Sequence, residues 1–233
     1  MATPAFSLRE DDLVTLLVGP DEEKFVVHEI CITRNSDFFK AVMKKEWIEG
    51  RTRTVKFPEE TCLETFIAYL NFAYHRKLPT ESIETVSEDD SLGVDAYKVL
   101  AKIYVLGERL LDESVQNAVV EEFARLVAIE SSDGKCYYPG SGCVTLIYNG
   151  TSTPCELRRM MVDMYSSEGE ASWIDKRLPS EFLADLVEEL QDFLPNDWSS
   201  VARSIGSGLP VRWMPVFCFG SLERSSRASR AVQ

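Results

Sequence analysis

Residues 25–39 read FVVHEICITRNSDFF, and the order of polar and apolar residues in this stretch decides the fold class. An apolar, β-branched segment ends in a single histidine, His28, which is the pattern of a strand that stops at that residue. An apolar helical turn follows. Asn35 and Ser36 are residue types that cap helices, and the apolar pair before Lys40 comes next. The stretch therefore predicts a strand that leads into two short helices in tandem.

Two further strands are predicted on either side of this stretch. Residues 13–18, LVTLLV, form a short apolar run, and the turn residues of 19–22, GPDE, separate it from the strand that ends at His28. This order is typical of a hairpin. Residues 53–57, RTVKF, alternate apolar and polar side chains as a half-buried strand does, and Pro58 ends the run. A small sheet is predicted.

The spacing of apolar residues changes from two to three and four after Thr61, and this change indicates a change from strand to helix. The segment from Thr80 to Ser91 is acidic and lacks periodicity, so we interpret it as a solvated loop. A second helix is expected to end near Gly107, and Asp112 is expected to cap a third. The first two predicted helices carry apolar stripes at Leu63, Phe66, Ile67, Leu70 and Tyr74, and at Tyr97, Leu100, Ala101 and Tyr104.

The second half of the chain is predicted to be mainly helical. Pro154 and Pro179 occupy positions typical of a first helical turn, and apolar stripes follow both. Met160, Met161 and Met164 form one stripe, for which core filling and an adaptable groove are the two interpretations. The domain boundaries that follow are 11–128 for an N-terminal domain, 129–142 for a linker, 143–200 for a helical extension and 201–233 for a partly disordered tail. Residues 144–148 have strand propensity, yet their neighbours are compatible with a helix end.

Composition bounds the function classes. The formal charge of −13 disfavours nucleic-acid binding by the folded body, and the arginines of the tail are interpreted as a solvated end. No run approaches the roughly 20 apolar residues of a membrane helix. With no secretory leader in the pattern of the first residues, a cytoplasmic or nuclear protein with reduced thiols is expected. The six cysteines contain no C-x-x-C pair, and no metal or cofactor is expected.

The motifs of the N-terminal half resemble those of the BTB/POZ domain. That family has a strand ending in F-x-x-H, a polar residue before x-F-F, a V-x-F strand and an L-A-x-x-Y segment. The residues of this chain that resemble these motifs are His28, Ser36, Phe39, Ala101 and Tyr104. The resemblance implies an α+β fold with a small sheet flanked by helices, in which these residues, including the histidine, are structural.

Two departures from the family pattern and one weaker similarity complete the comparison. Ile32 stands where the family usually has leucine, and the loop at 80–91 is longer and more acidic than is typical. The second half is similar to the helical tails of small fungal BTB proteins, which implies that residues 144–148 are helical.

Trp47-Ile48-Glu49 is the sharpest candidate for a binding motif. In BTB adaptors that recruit a cullin scaffold, an apolar residue and a glutamate two positions later contact the cullin, and Trp47 and Glu49 resemble that pattern. The sequence leaves two alternatives open for the role of Trp47 and Glu49. Either Trp47 is exposed and forms a contact, or it folds back on the helix pair while Glu49 is a solvated turn charge.

The function that the resemblance implies is that of a protein-protein interaction module, with a substrate adaptor of a cullin-RING ubiquitin ligase as its sharper form. The alternative is a transcription-linked or chromatin-linked scaffold without a ligase role, although the chain has no zinc-finger pattern. An enzyme is not expected, because His28 and Cys31 lack a third, orienting group. A homodimer is a further possible partner, because some BTB domains dimerise through an extra N-terminal strand, and the residues before Leu13 leave room for such a strand at 4–8.

Overall fold

The computed structural model describes residues 12–80, 91–131, 134–152, 154–169, 171–174 and 176–191. These ranges contain a three-stranded sheet and nine α-helices, so the fold is of the mixed α+β class that the sequence predicts. The N-terminal strand considered at 4–8, the acidic residues 81–90 and the tail 201–233 lie outside the described residues.

The sheet has the strand order β2-β1-β3. Strands β1 (Leu13–Val18) and β2 (Glu23–His28) are antiparallel, and the turn between them has two left-handed residues, Gly19 at φ 78° and Glu22 at φ 51°. Strand β3 (Thr54–Lys56) runs parallel to β1. The predicted hairpin and third strand are confirmed. On β1 the buried side chains alternate with half-buried ones, so one face of the sheet is turned to the core.

Three short helices connect the hairpin to β3. The first two were predicted and the third was not. Helix α1 (Glu29–Thr33) starts directly after β2, and α2 (Asp37–Val42) is capped by Ser36, whose hydroxyl oxygen accepts the backbone N–H of Phe39 at 3.1 Å. Helix α3 (Ile48–Thr52) contains Gly50, where a turn is the sequence expectation. That expectation is wrong, because the glycine lies within α3 and is buried against the backbone of Met43 and Lys44.

Three longer helices complete the N-terminal half. They are α4 (Leu63–His75), α5 (Ser91–Arg109) and α6 (Glu113–Val127). The break predicted near Gly107 comes later, since α5 continues through that residue to Arg109. A Cβ atom at Gly107 would collide with the Val115 side chain, so the missing side chain allows α6 to approach α5. Thr80, expected in a solvated loop, is 3% exposed and donates a hydrogen bond to Glu122.

Helices α7 (Ser141–Gly150), α8 (Glu156–Ser167) and α9 (Ser180–Gln191) form the second half. The helical interpretation of residues 144–148 is confirmed. Met161 and Met164 are buried and Met160 is half-buried against the core, so this stripe fills the interior. The buried apolar residues of all three helices belong to the same hydrophobic cluster as those of the sheet, and α7 packs on α5.

Two buried polar networks join the elements. In the first, Asp112 caps α6 through the backbone N–H groups of Ser114 and Val115 and also accepts the hydroxyl of Tyr69 at 3.0 Å. The Ser36 hydroxyl donates to the carbonyl of Leu110. In the second, the guanidinium group of Arg158 lies among carbonyls at the end of α7. In the described part of the chain, every buried side-chain nitrogen or oxygen has a hydrogen-bond partner.

Among the helices that the structure describes, none combines the length and the apolar character needed to cross a membrane. Within the same ranges, no group of three or more histidine, cysteine, aspartate or glutamate side chains is arranged to hold a metal ion.

Candidate protein contact surface

Trp47 lies at the start of α3, in the connection between α2 and β3. Its backbone N–H donates to the carbonyl of Lys44 at 3.0 Å, and its own carbonyl accepts the N–H of Arg51 at 3.3 Å. The residue is 57% exposed, and its neighbour Ile48 is 61% exposed. Of the two alternatives left by the sequence, the exposed tryptophan is the one in the structure. Two adjacent large apolar side chains therefore project from a short helix into solvent.

Gly50 fixes the position of α3 against the preceding loop. The residue is buried, and a Cβ atom there would overlap the backbone carbonyls of Lys44 and Met43. Because such backbone atoms cannot move aside as a flexible side chain can, only glycine fits at this position. The close approach holds the helix, and with it Trp47, in one orientation.

Arg53 ties the other end of α3 to the sheet and to α1. It adopts the left-handed conformation at φ 55°, and its N–H donates to the carbonyl of Glu49. Its guanidinium Nε donates to the carbonyl of Leu13 at 3.2 Å, and its Nη1 pairs with the carboxylate of Glu29. The helix is thus anchored at both ends, so the exposed side chains need lose little backbone freedom when they bind.

Glu49 is half-buried on α3, and in the described part of the chain its carboxylate has neither a hydrogen bond nor an ion pair. The flanking residues Lys44, Lys45, Glu46 and Arg51 are all exposed. We call these four residues, together with Trp47, Ile48 and Glu49, the Trp47 surface. It combines an apolar centre with charges of both signs at its edge, the composition that protein interfaces commonly have.

His28 connects the end of β2 to the end of α4. Its backbone N–H donates to the Tyr74 hydroxyl oxygen at 2.8 Å, and its ring Nδ1 lies 3.0 Å from the same oxygen. The two rings meet edge to face at 5.9 Å. Partial burial raises the pKa of Tyr74 above its ordinary value. The adjacent carboxylate of Glu29 is paired with Arg53, so it does not orient the imidazole toward Cys31.

The other residues of the BTB/POZ motifs lie in the interior. Phe39 and Ala101 are fully buried and Tyr104 is nearly so, all within one hydrophobic cluster. Burial is the main reason why the pKa of Tyr104 is raised, and a hydrogen bond with Cys155 is the second. Ser36 is also buried and bonds to both Phe39 and Leu110. The structure does not bring these residues together with Trp47 and Glu49 into one site.

Ile48 and Gly50 are the site residues that the sequence interpretation missed. The motif left the central position of Trp47-Ile48-Glu49 open to any residue, although an exposed isoleucine beside the tryptophan enlarges the exposed apolar surface. No family model matches the chain, and no curated protein is significantly similar to it in sequence.

Replacing Gly50 by alanine is expected to lower the free energy of unfolding by about 2 kcal/mol, because the added methyl group overlaps backbone atoms. Gly142 is the matched control. A Cβ atom there meets only the end of Lys98 at 3.9 Å, so Gly142→Ala within α7 should stabilise the protein by about 0.5 kcal/mol or more. Urea denaturation of both variants checks the pair. Equal effects would contradict the close approach at Gly50.

Proposed function

We propose that this chain is a protein-protein interaction module of the BTB/POZ type, that its Trp47 surface binds a cullin scaffold, and that it thereby serves as a substrate adaptor of a cullin-RING ubiquitin ligase. The observation that carries this proposal is the exposure of Trp47 and Ile48 on a helix anchored at both ends. Large rigid side chains that are already ordered before binding are the usual centres of binding energy in interfaces.

The order of elements supports the fold part of the proposal. A hairpin, a pair of short helices, a strand and then three longer helices follow the order that the BTB/POZ resemblance implies, with α3 as an additional short helix before the strand. The residues of the family motifs lie where packing requires them, since Phe39, Ala101 and Tyr104 are buried and Ser36 caps α2. His28 joins two elements by hydrogen bonds rather than facing a cleft.

The position of the Trp47 surface supports the cullin part. The surface lies between the second short helix and β3, where BTB adaptors carry the apolar residue and glutamate that contact the cullin. Trp47 supplies the apolar group, and the unpaired carboxylate of Glu49 is available to a basic group of a partner. The adaptor role places the chain in the cytoplasm or the nucleus.

The test is a binding titration of the full chain with a cullin N-terminal domain. Trp47→Ala should weaken binding by about 2 kcal/mol, or roughly 30-fold, as expected for a central aromatic contact. Glu49→Lys should weaken binding as well, since it reverses the charge that meets the partner. Isothermal titration calorimetry measures both effects.

Val187→Ala is the matched control, because Val187 is also exposed, at 55%, but lies on α9. This variant should bind the cullin as the unmodified chain does. Absence of binding by the unmodified chain would reject the adaptor role and favour a scaffold without a ligase function. Binding that neither Trp47→Ala nor Glu49→Lys weakens would reject the Trp47 surface as the contact.

A further inference from the structure

A cleft of about 340 Å³ lies between the start of α4, the second half of α5 and α7. We call it the α5–α7 cleft. Its floor is apolar and is formed by Val105 and Leu106 from α5 and Leu146 from α7. Gly150 lets the two helices approach, because a Cβ atom there would collide with the Val105 side chain. The cleft is built from different elements than the Trp47 surface.

Two basic side chains of α5, Lys102 and Arg109, line the cleft. Both are exposed, and in the described part of the chain neither has a hydrogen bond or an ion pair. They stand seven residues apart on one face of the helix, which corresponds to about 10 Å along its axis. Two positive charges thus line one cleft of a protein whose formal charge is −13, and the carboxylate of Glu64 interacts electrostatically with Lys102.

Among the described residues that line the cleft, the acidic group is Glu60, at the α4 end. Glu64 lies next to Cys62, whose thiol donates to the carboxylate at 3.0 Å. That hydrogen bond is the main reason why the pKa of Glu64 lies below its ordinary value. The charge of Lys102 lowers this pKa as well, by less. The carboxylates therefore leave the Arg109 end and the apolar floor open to a ligand of negative charge.

We propose that the α5–α7 cleft binds an acidic, apolar peptide segment of a protein partner, in which two carboxylates about 10 Å apart flank apolar side chains. Lys102 and Arg109 pair with the carboxylates, and Val105 and Leu146 receive the apolar side chains. A polyproline-like segment advances about 3.1 Å per residue with three residues per turn, so acidic residues three positions apart match the two basic groups. This binding is independent of the proposed cullin contact.

The probe is the capped tetrapeptide acetyl-Asp-Leu-Leu-Asp-amide, titrated calorimetrically into the full chain. The unmodified chain should bind it with a Kd below about 1 mM, and the affinity should fall as salt is added. The double variant Lys102→Gln, Arg109→Gln should raise the Kd at least about fivefold, since both ion pairs are lost. A second peptide, in which asparagine replaces both aspartates, should bind to the unmodified chain as weakly as the probe binds to the double variant.

The control is Lys24→Gln, Arg159→Gln, which removes the same charge from exposed positions outside the cleft. It should change the Kd less than twofold, and Trp47→Ala should leave peptide binding unchanged. Absence of binding by the unmodified chain, or equal effects of the two double variants, would overturn the proposal. Octanedioate is a small dianion of similar length. If it binds with the same affinity as the probe, the cleft is a small-molecule site and the proposal of a peptide occupant is overturned.

Discussion

Replacing Arg158 by methionine is expected to lower the free energy of unfolding by about 3 kcal/mol, because buried carbonyl groups lose charge-assisted hydrogen bonds while the apolar stem is kept. Arg158 is 9% exposed. Its Nη2 donates to the carbonyl of Tyr148 at 2.8 Å and to that of Thr151, and its Nε donates to the Thr151 hydroxyl at 2.7 Å. These acceptors lie at the end of α7, where helical carbonyls have no partner within the helix.

The charge of Arg158 also suits its surroundings. A positive group at the carboxyl end of a helix is favoured by the helix dipole, and the guanidinium carbon lies 4.4 Å from the centre of the Tyr148 ring. The ion pair with Glu181 adds little, because that carboxylate is 69% exposed. Arg158→Lys keeps the charge but not the planar guanidinium group. Its free energy of unfolding should therefore lie between those of the unmodified chain and Arg158→Met.

Arg159 is the matched control for this prediction. It is the next residue on α8, its side chain is 70% exposed, and its ion pair is with Glu156 in the same helix. Arg159→Met should change stability by less than about 0.5 kcal/mol. Urea denaturation followed by circular dichroism compares the variants. If Arg158→Met and Arg159→Met have the same effect, the buried network does not stabilise the second half of the chain.

Local sequence patterns predicted the elements whose stabilising contacts are themselves local. The hairpin follows from an apolar run, a turn and a second run, and the start of α2 from the cap at Ser36, which bonds to a residue three positions later. The start of α6 follows in the same way from Asp112. Both caps join residues within four positions, and the two strands of the hairpin follow each other in sequence, so the residue types alone indicate them.

Contacts with residues outside the helical turn that contains each glycine explain the elements that the sequence did not predict. Gly50 in isolation indicates a turn, but the backbone of Lys44 surrounds it and a helix forms. Gly107 likewise lies within α5 because Val115 of α6 needs the space. Neither effect is visible in residue type, since any glycine at these positions lowers helix propensity.

The orientation of the candidate contact residues was beyond the sequence for the same reason. Tryptophan is usually well buried, so its residue type alone did not predict that Trp47 is exposed. The contacts that anchor α3 next to it are long-range, since Arg53 reaches back to Leu13 and Glu29. The α5–α7 cleft depends on the pairing of two helices whose lining residues are some 40 positions apart, and no local pattern in the chain indicates it.

Asp112→Ala is expected to lower the free energy of unfolding by about 3 kcal/mol, through the loss of a helix cap and of the partner of a buried hydroxyl. Asp112 is 3% exposed. One carboxylate oxygen accepts the N–H groups of Ser114 and Val115, and the other accepts the hydroxyl of Tyr69 at 3.0 Å. Burial is the first reason, and the carboxylate the second, why the pKa of Tyr69 lies far above its ordinary value.

A double-mutant cycle separates the two roles of Asp112. Asp112→Asn keeps an oxygen that can cap α6, so it should cost less than the alanine variant. Tyr69→Phe removes the hydroxyl alone, at about 1 kcal/mol, and in the Asp112→Ala background it should cost less, because no buried hydroxyl is then left without an acceptor. Asp37→Ala is the control, since that carboxylate is 71% exposed at the start of α2, and its effect should stay below about 0.5 kcal/mol. Strictly additive losses for Tyr69 and Asp112 would contradict the hydrogen bond that joins α4 to the start of α6.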